Sequence, residues 1–160
     1  MARRVFFSFH YQRDIWRVNQ IRNSWIIRPG QESANFWDQS LWEEAKLKGE
    51  KEIKKLIDQG LYNSSTTVVL VGSETFGRKW IQYEIIESWK RGNRLLGVYI
   101  HLLANQGGIT DPKGRNPFEN ITVDGRSLAP YVPMYDWVLN DGYNNMANWI
   151  EAAPVKPGNK

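Results

Sequence analysis

The stretch Thr66-Thr67-Val68-Val69-Leu70-Val71 limits the fold of this chain more than any other. It is almost wholly β-branched and it does not alternate between polar and apolar residues. A strand with one wet face alternates, whereas a run like this one suits a central strand of a parallel sheet, covered on both faces. A Gly-bounded turn follows, Gly72 to Gly77, and opens into a helical pattern. Strand, turn and helix in this order form the repeating unit of an α/β protein.

The helix after that turn carries an apolar stripe at Ile81, Ile85 and Trp89, at four-residue steps. Trp80 and Glu84 are also four apart and share one helical face. Glu84 lies about 60° from the stripe, at roughly 100° of turn per residue. It is therefore expected to border the core rather than to face open water. The plain reading is a boundary carboxylate beside a core tryptophan. The alternative is a carboxylate set into the wall of a site.

The rest of the chain repeats the α/β pattern. Val5 to His10 reads as a buried strand, and Asp14 is expected to cap the helix carrying Val18, Ile21 and Trp25. Arg28-Pro29-Gly30 ends that helix. Gln31 to Ser40 reads as irregular, with Phe36 and Trp37 forming either a satellite core or part of a lid. Trp42 to Lys48 and Glu50 to Gln59 read as two helices broken near Gly49, the second bearing Ile53, Leu56 and Ile57 and stopping at Gly60. The helix of Glu84 ends at Gly92. Leu95 to Ile100 is a further strand, Ala104 to Pro117 a loop, and Phe118 to Pro133 irregular. Met134 to Val138 is a last short strand, and Tyr143, Met146, Ala147 and Ile150 mark a last helix. The expected architecture is an open parallel sheet with helices on both faces, in a single domain over 1–153 with a flexible tail at 154–160. Ligands of such sheets bind beyond the carboxyl ends of the strands, where strand order reverses. Ser8, Phe9 and His10 mark one such end and the turn from Gly72 another.

Composition excludes several classes of function. The 160 residues include eight Trp and no Cys, so the chain is built to pack, without disulfides or thiolate metal sites. With only His10 and His101, no metal site is expected. No apolar run approaches the ~20 residues of a membrane span, and no signal peptide is recognisable, so the expected compartment is the cytoplasm. The net charge of +4 suits an anionic ligand, but the basic residues are interspersed with acids, which argues against nucleic acid. Gly72 to Lys79 is close to a phosphate-binding P-loop, yet Arg78 and Lys79 stand where Lys and Ser or Thr are required. No G-x-G-x-x-G follows the first strand. Ser8 and His10 share a strand face, but no nucleophile elbow accompanies them. His10 is better suited to donate to a phosphate or ribose.

Val5-Phe6-Phe7-Ser8-Phe9-His10 resembles the first-strand signature of TIR domains, which typically runs Val-Phe-Ile-Ser-Tyr-Arg. Trp80-Ile81-Gln82-Tyr83-Glu84 resembles their W-x-x-x-E segment, placed as in that family after a strand ending Val-Val-Leu-Val. The start Arg-Arg-Val-Phe-Phe-Ser-Phe-His-Tyr-Gln and the helix Arg17 to Trp25 are similar to the TIR-like ThsB proteins of the bacterial Thoeris anti-phage system. Two departures stand out. The segment Arg28 to Leu41 shows no clear strand where a TIR domain has its second, and the family's Arg is His10 here.

The resemblance implies a flavodoxin-like fold and an enzyme that cleaves the nicotinamide–ribose bond of NAD. It implies a cyclic ADP-ribose-type messenger, which activates a partner effector, and self-assembly of the active form. NAD would be the substrate, with no further cofactor. Glu84 would be the catalytic residue; Ser8, Phe9, His10, Trp80 and Tyr83 would bind substrate. The alternative within the family is a non-catalytic interaction module in which Trp80 and Glu84 only stabilise the fold. A receiver domain fits less well, because no acidic pair for magnesium follows the first strand.

Overall fold

The computed structural model describes residues 4–26, 32–35 and 39–157. Five parallel strands form its sheet: β1 (Arg4–Ser8), β2 (Glu32–Asn35), β3 (Thr66–Val71), β4 (Arg94–Tyr99) and β7 (Met134–Asp136), in the order β2-β1-β3-β4-β7. The helices between them are α1 (Tyr11–Ile26), α2 (Gln39–Lys48), α3 (Glu50–Tyr62), α4 (Lys79–Lys90) and α5 (Gly142–Ala152). This is the expected flavodoxin-like α/β sheet. Strand order reverses between β1 and β3, so the crevice for a ligand lies beyond Ser8 and Val71.

β3 is buried along its whole length, as its non-alternating sequence required. Its residues divide between two layers. Val68 and Leu70 join the cluster of Val18 and Ile21 from α1 and Met146, Trp149 and Ile150 from α5. Val69 and Val71 join Ile81, Ile85 and Trp89 of α4. The register places Phe6 beside Thr67 and Ser8 beside Val69, so Ser8 points to the α4 side. Helices therefore cover both faces, and the face under α4 carries the polar residues of interest.

Several local expectations change. A second strand does exist: β2 pairs in parallel with β1, with a register shift between Val5 and Phe6. Its sequence Glu-Ser-Ala-Asn has no apolar periodicity, because an edge strand of four residues needs none. Helix α3 runs through Gly60 to Tyr62, since Leu61 continues the buried spacing of Ile53 and Ile57. Asp14 does not cap α1. The cap is His10, whose carbonyl accepts the Asp14 N–H at 2.9 Å and whose Nδ1 accepts the Arg13 N–H at 3.1 Å. This also ends β1 at Ser8, two residues short of the expected end. The stretch from Phe118 to Pro133 holds a small hairpin, β5 (Thr122–Val123) with β6 (Arg126–Ser127), turned by Asp124 and Gly125, both with positive φ.

The break at Gly49 is present, with φ of 102°. Helix α4 closes as expected near Gly92, which has φ of 86°; Gly92 and Asn93 return their N–H groups to Trp89 and Ser88. The stop at Arg28-Pro29-Gly30 and the aromatic pair Phe36 and Trp37 lie outside the described residues. No helix of the described residues is long and apolar enough to cross a membrane. In the C-terminal segment, Lys156 sits over the Trp89 ring, 5.5 Å from its centroid.

Candidate active site

Three segments enclose a cleft of about 450 Å³ at the reversal of strand order. The β1–α1 junction contributes Phe9, His10, Tyr11 and Gln12. The α2–α3 junction contributes Lys46, Gly49, Glu50 and Ile53. The start of α4 contributes Arg78, Lys79, Trp80, Ile81 and Glu84. Each wall follows from a local cause. β1 delivers its last residues to the crevice, α4 begins one turn beyond β3, and the positive φ of Gly49 swings α3 away from α2.

Glu84 is 3% exposed, in the second turn of α4. The Ser8 hydroxyl, wholly buried at the end of β1, donates to Glu84 Oε1 at 2.6 Å. A bond this short to a carboxylate is charge-assisted and fixes the orientation of the acid. Ser8 itself does not line the cleft; it stands behind Glu84 and holds it. Trp80 lines the cleft one turn before Glu84. The Lys79 ammonium lies 5.1 Å from the Trp80 ring centroid and is bridged to Glu50 across the cleft wall. That bridge holds the Glu50 carboxyl below its ordinary range. Phe9 is buried, with its ring 6.0 Å from that of Tyr11.

Tyr83 is placed differently. Its ring meets Trp80 edge-on at 5.8 Å, but its hydroxyl donates to Asp58 of α3 at 3.0 Å and it does not line the cleft. Burial and the Asp58 bond push its pKa up to about 12, so it stays a neutral donor. The structure thus brings Phe9, His10, Trp80 and Glu84 to one cavity, sets Ser8 behind Glu84 and sets Tyr83 behind Trp80. Among the described residues no group of acidic or histidine side chains could hold a metal ion.

Residues 6–105 match the family described as "Thoeris protein ThsB, TIR-like domain". A protein of Bacillus cereus (strain MSX-D12), named "Putative cyclic ADP-D-ribose synthase ThsB1", is 38% identical over 191 aligned positions, which cover 94% of this chain and all of the relative. The chain belongs to the ThsB TIR-like family. The matched segment contains every residue that lines the cleft. The ThsB TIR-like frame also shows what the sequence left unseen. Lys46, Glu50 and Ile53 complete the cleft from a segment that reads as a plain solvated helix pair. Only the Gly49 break hinted that the chain turns there, and nothing local said that the turn faces Trp80.

Proposed function

We propose that the cleft takes NAD with its nicotinamide ribose against Glu84, and that the protein converts it to a cyclic ADP-ribose-type messenger. The observation that carries this reading is the buried Ser8–Glu84 pair in a cleft at the point of strand reversal. A relative covering nearly the whole chain bears the name of a cyclic ADP-D-ribose synthase, which supports the same reading.

The chemistry asks little of the protein beyond this. The C1′–N bond breaks with its electron pair going to the ring nitrogen, and nicotinamide leaves neutral without a general acid. Positive charge develops on the ribose, as in glycoside hydrolysis. A fixed carboxylate stabilises that charge and accepts the ribose hydroxyls. A nucleophilic group of the same ADP-ribose then supplies the electron pair for the new bond at C1′, and one proton passes to water. The apolar walls of Phe9, Trp80 and Ile81 would disfavour attack by water once a dinucleotide fills the cleft, and so favour ring closure. NAD is the substrate, and no further cofactor is required. The messenger would carry the signal to an effector in anti-phage defence, and the setting would be the cytoplasm.

Nicotinamide release from NAD tests the reading, measured over a wide dilution series and with lysate of phage-infected cells added as a trigger. Release by the parent protein supports it. Specific activity that rises with protein concentration supports an assembled active form; constant activity counts against assembly. No release under any of these conditions would leave a non-catalytic interaction module.

A further inference from the structure

The two ring nitrogens of His10 have different surroundings. Nδ1 accepts the Arg13 N–H, so the proton of the neutral ring lies on Nε2. Nε2 has no hydrogen-bond partner among the described residues, and the imidazole lines the cleft. The charged groups acting on His10 are Arg13 from α1 and Glu74 and Arg78 from the β3–α4 turn. Burial and then Arg78 lower its pKa, so at neutral pH the ring is uncharged and its cap intact.

Three cations line this cleft, and one of them, Lys79, is bridged to Glu50. Arg78 is held by Glu74, through Nη2 to Oε1 at 3.3 Å and through Nε to the carbonyl at 3.1 Å. Lys46 lines the cleft from α2 and makes no ion pair or hydrogen bond among the described residues. A neutral donor in a cleft that also presents Arg78 and Lys46 suits an anionic oxygen. A ribose hydroxyl is better matched by the carboxylate of Glu84.

We propose that the His10 Nε2–H, in the cleft that Arg78 and Lys46 also line, binds a phosphate oxygen of the dinucleotide and so selects dinucleotides over their phosphate-free ribosides. This rests on the reading that the cleft takes NAD. His10 thus has two roles on one ring: Nδ1 closes the start of α1, and Nε2 faces the ligand. The cap makes the donor rigid, because the ring cannot flip without releasing Arg13 N–H.

Two substitutions separate these roles. His10→Asn preserves the cap, since Asn is among the best N-caps, but its short amide cannot reach where Nε2 does. His10→Ala removes both. His10→Asn is expected to keep the parent melting temperature and to raise KM for NAD about tenfold, with kcat carrying little of the loss. No comparable rise is expected for nicotinamide riboside, which lacks phosphate. Full recovery of the parent KM by His10→Asn would leave His10 a helix cap only and overturn the proposal.

Nitrogen NMR of the imidazole gives a readout that does not depend on turnover. The free protein should show the Nε2–H form at neutral pH. ADP-ribose should shift that resonance and nicotinamide riboside should not. An Nδ1–H form, or equal responses to the two ligands, would overturn the proposal. A shift with ADP-ribose in a protein that never consumes NAD would retain the phosphate site and defeat the cleavage reading instead.

Discussion

Asp14 and Glu84 are both buried carboxylates near the carboxyl edge of the sheet, at 0% and 3% exposure. Asp14 faces Arg17, whose Nη1 lies 3.4 Å from Oδ1 and also pairs with Asp111 at 3.0 Å. Gly72 lies so close that a Cβ there would fall 2.2 Å from Asp14 Oδ2. Gly114 closes in turn on the Gly72 carbonyl. Arg17, bonded also to the Leu103 and Ile109 carbonyls, thus ties α1 to the loop after β4, while Asp14 pairs with it from the same helix, packs against Gly72 and lines no part of the cleft. Glu84 is held by a neutral hydroxyl and does line it. Burial of a carboxylate is therefore no mark of function by itself. What distinguishes Glu84 is a neutral orienting partner and access to a cavity that a ligand can fill.

The largest expected effect breaks the comparison at Glu84. Glu84→Gln keeps size and still accepts the Ser8 hydroxyl, but it removes the charge. Nicotinamide release should fall about a thousandfold while the melting temperature stays near that of the parent. A loss of folding instead would make Glu84 a structural residue like Asp14.

The next effect concerns Asp14 and is one of stability. Asp14→Ala leaves Arg17 buried with one partner fewer and should cost about 3 kcal/mol, read by denaturant unfolding. Burial pushes the Asp14 carboxyl up from 3.8 to about 6, with Arg17 opposing the shift. The folded protein then keeps a proton that the unfolded chain has lost, so this contribution is full below pH 3.8 and is lost as the pH rises through about 6. Asp14→Asn, which cannot ionise, should flatten that part of the stability profile. An unchanged profile would remove Asp14 as its source.

Smaller effects sharpen the contrast. Ser8→Ala should lower kcat about tenfold by freeing Glu84 from its fixed orientation, with a smaller change in KM. Equal effects on both would mean that Ser8 does not act through Glu84. Glu87→Gln, three residues further along the same helix, should change turnover by less than about twofold. A larger loss there would mean that negative charge on α4 matters in general and Glu84 in particular does not.

Much of this was legible because it is local. The β-branched, non-alternating run of β3 specified a central parallel strand. The spacing of Ile81, Ile85 and Trp89 set the buried face of α4 and put Glu84 at its margin. First-strand and helix motifs shared with TIR domains pointed to the same cleft. What stayed hidden depends on contacts far apart in sequence. β2 is visible only through its pairing with β1. The part played by Asp14 depends on Arg17, Gly72 and Asp111 meeting in space. Tyr83 reads as a site residue beside Trp80, and only the fold shows its hydroxyl turned to Asp58. The hairpin at Asp124-Gly125 is a different case, because that dipeptide is itself a turn signal and was open to reading.

The central claim is that Glu84 drives cleavage of NAD in a cleft closed enough to favour internal ring closure. Mass spectrometry of the products from parent and Glu84→Gln protein, each incubated with NAD and trigger, tests it most directly. The account predicts nicotinamide and a product one water lighter than ADP-ribose from the parent, and neither from Glu84→Gln. Only the heavier, hydrolysed species from active parent protein, or the lighter product in equal yield from Glu84→Gln, would contradict it.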